Sequence, residues 1–233
     1  MPYRRLPNTD AARVRALKTA IEKTETTDYN DLCLSTKTVN KARKVLVKFE
    51  SLIANYHQVY QTQVESNKVF LTKVKNARMY ISHFIQVLYM SIIRSEIKEN
   101  QLELYGLEDM NMLVPDLTSN DQIMEWGRKI IDGETKRTSR GAVPIYNPTI
   151  AKVNVMYSLF KEGYETQKLY QENTTRQMKM VSEYREVVDD VIFNIWEEVE
   201  KSNEDLPQKV RLDKNREYGI VYYYRKGELV ECY

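Results

Sequence analysis

TKTVNKARKVLVKFESLIANYHQVYQTQVESNKVFLTKVKNARMYISHFIQVLYMSIIRSEIKEN, residues 36–100, contains neither glycine nor proline. Its apolar residues recur at helical spacing. Ala42, Leu46, Phe49, Ile53, Tyr56 and Tyr60 alternate steps of four and three, and Phe70, Val74, Ala77, Ile81, Phe84 and Leu88 do the same. That is the narrow stripe of a helix packed in a bundle. As one helix the run would be about 98 Å long, so a fold-back is expected within the polar interval Gln61–Lys68. Ser66 or Asn67 would cap the second arm there.

Working outward, the stretch free of Gly and Pro extends from Asn8 to Tyr105, in a chain with only 7 Gly and 6 Pro among 233 residues. Sandwiches and barrels need turn residues every few positions, and parallel α/β units need them at each crossover, so both are improbable. Helical periodicity returns over 149–202, through Val153, Tyr157, Phe160 and Tyr164, then Val181, Tyr184, Val188, Val191 and Ile195, with a bend expected near Glu172–Thr174. Between these spans lies a crossover, 101–148. In it Ser119 and Gln122 read as a capping box for a short helix, 120–132, that stops at Gly133. The remainder, GETKRTSRGAVPIYNP at 133–148, has no periodicity and reads as a connection.

Asn8, Thr9 and Asp10 announce an N-terminal helix, 9–25. The β-forming tail, 217–232, predicts a small hairpin turning at Arg225–Gly227. The expected fold is therefore all-α: a single helical domain, 1–233, forming an up-and-down bundle of two long helical hairpins (36–100 and 149–202) joined by a crossover. KVLVKFESLIANY from Lys44 and KVNVMYSLFKEGY from Lys152 align weakly, which suggests an internal duplication of the hairpin.

Composition excludes several classes. The balance of 42% hydrophobic and 29% charged residues is that of a globular chain. MPYRRLPNTD lacks an apolar run after it, so no secretory signal is expected, and Tyr80–Ile93 is too short and polar for a membrane span. With two cysteines far apart, Cys33 and Cys232, the expectation is unpaired thiols in a cytoplasmic protein. Residues 1–100 carry 17 basic against 9 acidic side chains, and residues 101–200 carry 11 against 18, so the halves should attract each other.

Familiar chemistry is scarce. A di-iron bundle site needs Glu three residues before His, whereas Ala54 precedes His57 and Tyr80 precedes His83. Both histidines read as partly buried structural groups. Phosphate loops, dinucleotide turns and nucleophile elbows are missing. No catalytic residue, cofactor or metal site is therefore expected. Two clusters remain. Lys136, Arg137 and Arg140, beside Glu134 and between two glycines, could hold an anion. Tyr218, Tyr222, Tyr223 and Tyr224 could form a docking face for a partner.

The run IIDGETKRTSRGAVPIYNPTIAKV, the opening MPYRRLPNTDAAR and the ending EYGIVYYYRKGE together resemble a bacterial helical-bundle family with no established activity. The resemblance implies an all-helical cytoplasmic fold and carries over no site residue. The functional expectation is a non-catalytic structural or protein-interaction module, with a protein partner or a second copy of itself and no membrane. A nucleic-acid-binding accessory protein is the alternative, and a small-molecule site at the crossover loop stands third.

Overall fold

The run beginning at Thr36 forms one helix. The computed structural model describes residues 2–28 and 31–225, and in it α2 extends without interruption from Thr36 to Ile93. The expected fold-back at Gln61–Lys68 is not there, and α4, Ile150–Ser202, passes equally unbroken through Glu172–Thr174. The physical reason is the absence of a breaker: neither of these two intervals holds a Gly or Pro, so nothing there interrupts the i to i−4 ladder. Ser66 does not cap a helix. Its hydroxyl accepts a hydrogen bond from Gln167 Nε2 at 3.3 Å.

Four further elements complete the helical set among the described residues. These are α1 (Asp10–Thr26), a 3-10 segment (Glu99–Tyr105), α3 (Asn120–Ser139) and α5 (Gln208–Glu217). Thr9 caps α1 by accepting from Ala12 N, and Ser119 and Gln122 form the expected reciprocal capping box on α3. α3 does not stop at Gly133, however, but continues to Ser139, so part of the supposed connection is helical. Gly133 serves close packing instead. A Cβ there would lie 2.5 Å from the Tyr105 ring and 2.8 Å from the Leu104 carbonyl oxygen.

The chain is all-α with one small antiparallel sheet. Its strands are β1 (Tyr3–Arg4) and β2 (Tyr222–Tyr223), with Tyr3 opposite Tyr223 and Arg4 opposite Tyr222. The tail thus pairs with the N-terminal segment. The return arm expected for a terminal hairpin, Glu228–Cys232, lies outside the described residues, as does most of its turn.

Packing divides the chain into two units, Met1–Val59 with Thr174–Tyr233 and Tyr60–Asn173. In the first, Phe49 and Tyr184 rings lie 6.3 Å apart and Ser35 N donates to Glu198 at 2.7 Å, so α2 and α4 run antiparallel. Leu17 and Ile21 of α1 join Ala42, Phe49, Val188, Ile195 and Trp196 in its core. Tyr60, assigned to the apolar stripe, is 49% exposed.

In the second unit the whole stripe Phe70, Val74, Ala77, Ile81, Phe84 and Leu88 is buried. It packs against Val153 and Phe160 of α4 and Ile123, Trp126 and Ile130 of α3. Phe70 stacks on Phe160 at 6.0 Å. Gly127 gives Tyr157 room on α3, since a Cβ there would fall 2.3 Å from its ring. Each large side chain buried in this way contributes about 1.5–3 kcal/mol.

Candidate anion-binding pocket

Extending α3 by two turns changes what its basic residues can do. The added turns carry Glu134 and Arg137 inward, to 0% and 3% exposure, while Lys136 and Arg140 stay exposed. Tyr105, fully buried at the end of the 3-10 segment, donates its hydroxyl proton to Glu134 Oε2 at 2.5 Å. Arg137 Nε donates to the same oxygen and to the Tyr105 hydroxyl, each at 2.9 Å. Its Nη2 donates to Glu134 Oε1 and to the Val143 carbonyl, each at 2.8 Å. Ile145 N donates to Glu134 Oε1 at 3.1 Å.

This network ties α3, the 3-10 segment and the returning segment Gly141–Asn147 together. Burial, reinforced by Glu134, pushes the Tyr105 hydroxyl well above the ordinary phenol range. Tyr105 is therefore held as a proton donor. Burial alone works against the charge of Arg137, but its bonds to Glu134 and Tyr105 outweigh that and raise its affinity for the proton.

Arg137 also lines a cavity of about 890 Å³. Two of its three nitrogens are fully engaged, and the third, Nη1, has no hydrogen-bond partner among the described residues. Nη1 keeps some solvent exposure, and Arg137 is part of the cavity lining. The rim adds Arg94, Lys98 and Arg140, three exposed cations with no ion-pair partner among the described residues, and a single carboxylate, Glu96. The walls are mixed, with apolar Val87, Ile97, Val143, Pro144 and Ile145 beside polar Ser91, Gln101 and Asn147.

The main counter-effect is the helix dipole, because α2 ends at Ile93 and α3 at Ser139. A helix C-terminus disfavours an anion by about 0.3–1 kcal/mol. An exposed cation attracts it by about 0.2–1 kcal/mol, and a charge-assisted hydrogen bond from the fixed Arg137 by about 1.5–3 kcal/mol. Several cations therefore outweigh two helix ends.

Of the three residues expected to bind an anion, Arg137 and Arg140 line the cavity and Lys136 does not. Arg94 and Lys98 were not anticipated. Their signal is the charged run RSEIK at 94–98, directly after the apolar stripe of α2, where a chain leaving a helix can bring charge back over its end.

The tail tyrosines are placed differently. Tyr218 is 2% exposed, and Tyr222 points its hydroxyl into a polar network, donating to Glu200 at 2.6 Å and accepting from Asn215 at 2.9 Å. Burial, with Glu200 beside it, pushes the Tyr222 hydroxyl up to about 12. Tyr223 and Tyr224 stay exposed, and the Tyr223 ring lies 5.8 Å from that of Tyr3. Two of the four thus belong to the packing of the unit.

His57 and His83, expected to be partly buried, are both exposed, since each falls beside the apolar stripe rather than on it. Among the described residues no group of three His, Cys, Asp or Glu could hold a metal ion, and no helix is long and apolar enough to cross a membrane. No protein-family model, curated protein or solved structure matches the chain.

Proposed function

We propose that this chain is a non-catalytic helical binding module whose ligand is a small anion held in the cavity between the ends of α2 and α3. The observation that carries this reading is Arg137: buried, fixed by four hydrogen bonds, and left with one unpaired edge in a cavity rimmed by three further cations. A buried ion pair seldom stabilises a fold relative to apolar residues of the same volume. Its presence here is accounted for if the pair holds a guanidinium rigid for a ligand, which is preorganisation in the ordinary sense.

Calorimetric titration with inorganic phosphate tests this. Binding is expected to weaken as salt rises and to weaken up to about fivefold in Arg140→Ala, the effect of losing one exposed cation worth up to about 1 kcal/mol. Equal binding by wild type and an Arg94→Ala, Arg140→Ala double variant would reject the site.

A protein-interaction role, including self-association, is the second reading. Met79, Met90 and Ile93 of α2, 52%, 56% and 71% exposed, share the face opposite its buried stripe. A dimer in sedimentation equilibrium that is lost in a Met79→Ser, Met90→Ser variant would favour it. The nucleic-acid alternative has less support, because Arg43 is paired with Glu25 and Lys41 shares a cavity with Glu197 and Glu198.

A further inference from the structure

Resting on the anion-binding reading above, the charge and size of the same cavity restrict the chemistry of its occupant. Four cations line it, Arg94, Lys98, Arg137 and Arg140. Two carboxylates answer them, Glu96 on the rim and Glu134 behind Arg137. Two positive charges remain. A carboxylate ligand would leave one of these without a counter-charge, whereas a phosphate monoester, carrying close to two negative charges at neutral pH, would match both. Three terminal oxygens also suit donors arriving from different parts of the chain: Arg137 from the last turn of α3, Arg140 from the residue after it, Arg94 from the residue after α2, and Lys98 from the residue before the 3-10 segment.

Size points to the ester rather than to the free ion. A cavity of about 890 Å³ is far larger than a phosphate group, and its remaining wall includes the apolar Val87, Ile97, Val143, Pro144 and Ile145 beside the polar Ser91, Gln101 and Asn147. Tyr146, 74% exposed, also lines the cavity and can cover a planar group. Water would fill that apolar part around inorganic phosphate, while an apolar substituent would displace it. We propose that the natural ligand is a phosphate monoester with an apolar or aromatic body, its phosphate on Arg137 Nη1 and the basic rim and its body against the Val87–Ile145 wall.

Phenyl phosphate, benzoate and inorganic phosphate separate the contributions. Titrated into the full chain near pH 7.5, phenyl phosphate is expected to bind about tenfold more tightly than benzoate, which lacks the second charge, and about tenfold more tightly than inorganic phosphate, which lacks the ring. Its affinity should rise between about pH 5 and pH 7 as the second phosphate proton leaves near pH 6, and that of benzoate should not. The charged and titratable groups facing the ligand are Arg94, Lys98, Arg137, Arg140, Glu96 and Tyr146, with Glu134 and Tyr105 behind them and no histidine.

Val87→Asp should abolish the preference for phenyl phosphate over inorganic phosphate. Should that side chain prevent folding, the exposed Tyr146→Ala is the second variant, expected to narrow the same preference several-fold. Benzoate binding as tightly as phenyl phosphate, or inorganic phosphate binding as tightly as its phenyl ester, would overturn the ester assignment while leaving an anion site in place. No binding by any of the three would overturn both.

Discussion

A methyl group at position 133 has nowhere to go. The Tyr105 ring at 2.5 Å could tilt, but the Leu104 carbonyl oxygen at 2.8 Å belongs to the backbone of the 3-10 segment. Helix propensity favours Ala over Gly by about 1 kcal/mol, and overpacking a filled core costs about 1–3 kcal/mol. Gly133→Ala should therefore gain no stability and lose up to about 2 kcal/mol in urea unfolding, against the trend for helical glycines. At Gly163 the nearest atoms, 3.0 Å from a Cβ, are on the Lys73 and Phe70 side chains, and Gly163→Ala should cost less. The neighbouring ion pair gives a second test at this scale. Glu134→Gln strands the Arg137 charge in the interior and should cost about 3 kcal/mol. Replacing both residues by Met should cost less than the sum of the two single replacements, because neither charge is then left alone. Additive losses in equilibrium unfolding would mean that the two side chains act independently. Arg137 was legible as a candidate from its charge and its place between glycines. Its burial was not, because that depends on Tyr105, which only the folded chain brings against Gly133 and Glu134.

At the scale of elements, local signals were readable and long-range ones were not. The Thr9 cap and the Ser119–Gln122 box are contained in four residues each, and both formed as the sequence implies. The buried stripes on α2 and α4 followed from spacing alone. The fold-back at 61–68 was inferred from length and polarity, which bear on solubility rather than on the hydrogen-bond ladder. α5 was not foreseen, although Pro207 before it and Gly219 after it mark both ends. The pairing of β2 with β1 joins opposite ends of the chain, so no local pattern could specify it. Continuity of α2 has a direct consequence. Glu65 is exposed and mid-helix, and a proline there removes a backbone donor and strikes the carbonyl of Gln61. Glu65→Pro should cost about 3 kcal/mol or more, read as a lower unfolding midpoint. A turn at that position would tolerate the same change with almost no loss.

At the scale of the whole molecule, two compositional features find their structural meaning. The basic first half and acidic second half meet in Arg13–Asp189 and Arg4–Glu200, yet Arg185–Asp10 has the opposite sense, so the complementarity is made of particular pairs rather than of opposed surfaces. The excess of tyrosine, 17 against 5 Phe, fills helical packing while several of the hydroxyls find a partner. Tyr89 donates to the Leu113 carbonyl, Tyr157 to that of Met124, Tyr105 to Glu134 and Tyr222 to Glu200. Burial raises the hydroxyls of these four and of Tyr184 and Tyr218 above the ordinary range. For all six the folded chain holds the phenolic proton more tightly than the unfolded chain does. Below the ordinary tyrosine pKa of about 10 both states are protonated, and the contribution to stability is fully present. As pH rises past that value the unfolded chain ionises first, so stability must fall until the folded-state values are reached, about 12 for Tyr222. Stability from urea unfolding should therefore be level with respect to tyrosine up to about pH 10 and fall steeply beyond it, with part of the phenolate absorbance appearing only as the chain unfolds. The slope counts the protons that the two states bind differently, so Tyr222→Phe should reduce it by up to one proton and Tyr105→Phe likewise. A slope unchanged by both substitutions would assign the alkaline loss to lysines instead, and would leave the buried hydroxyls without the protonation preference that their surroundings impose.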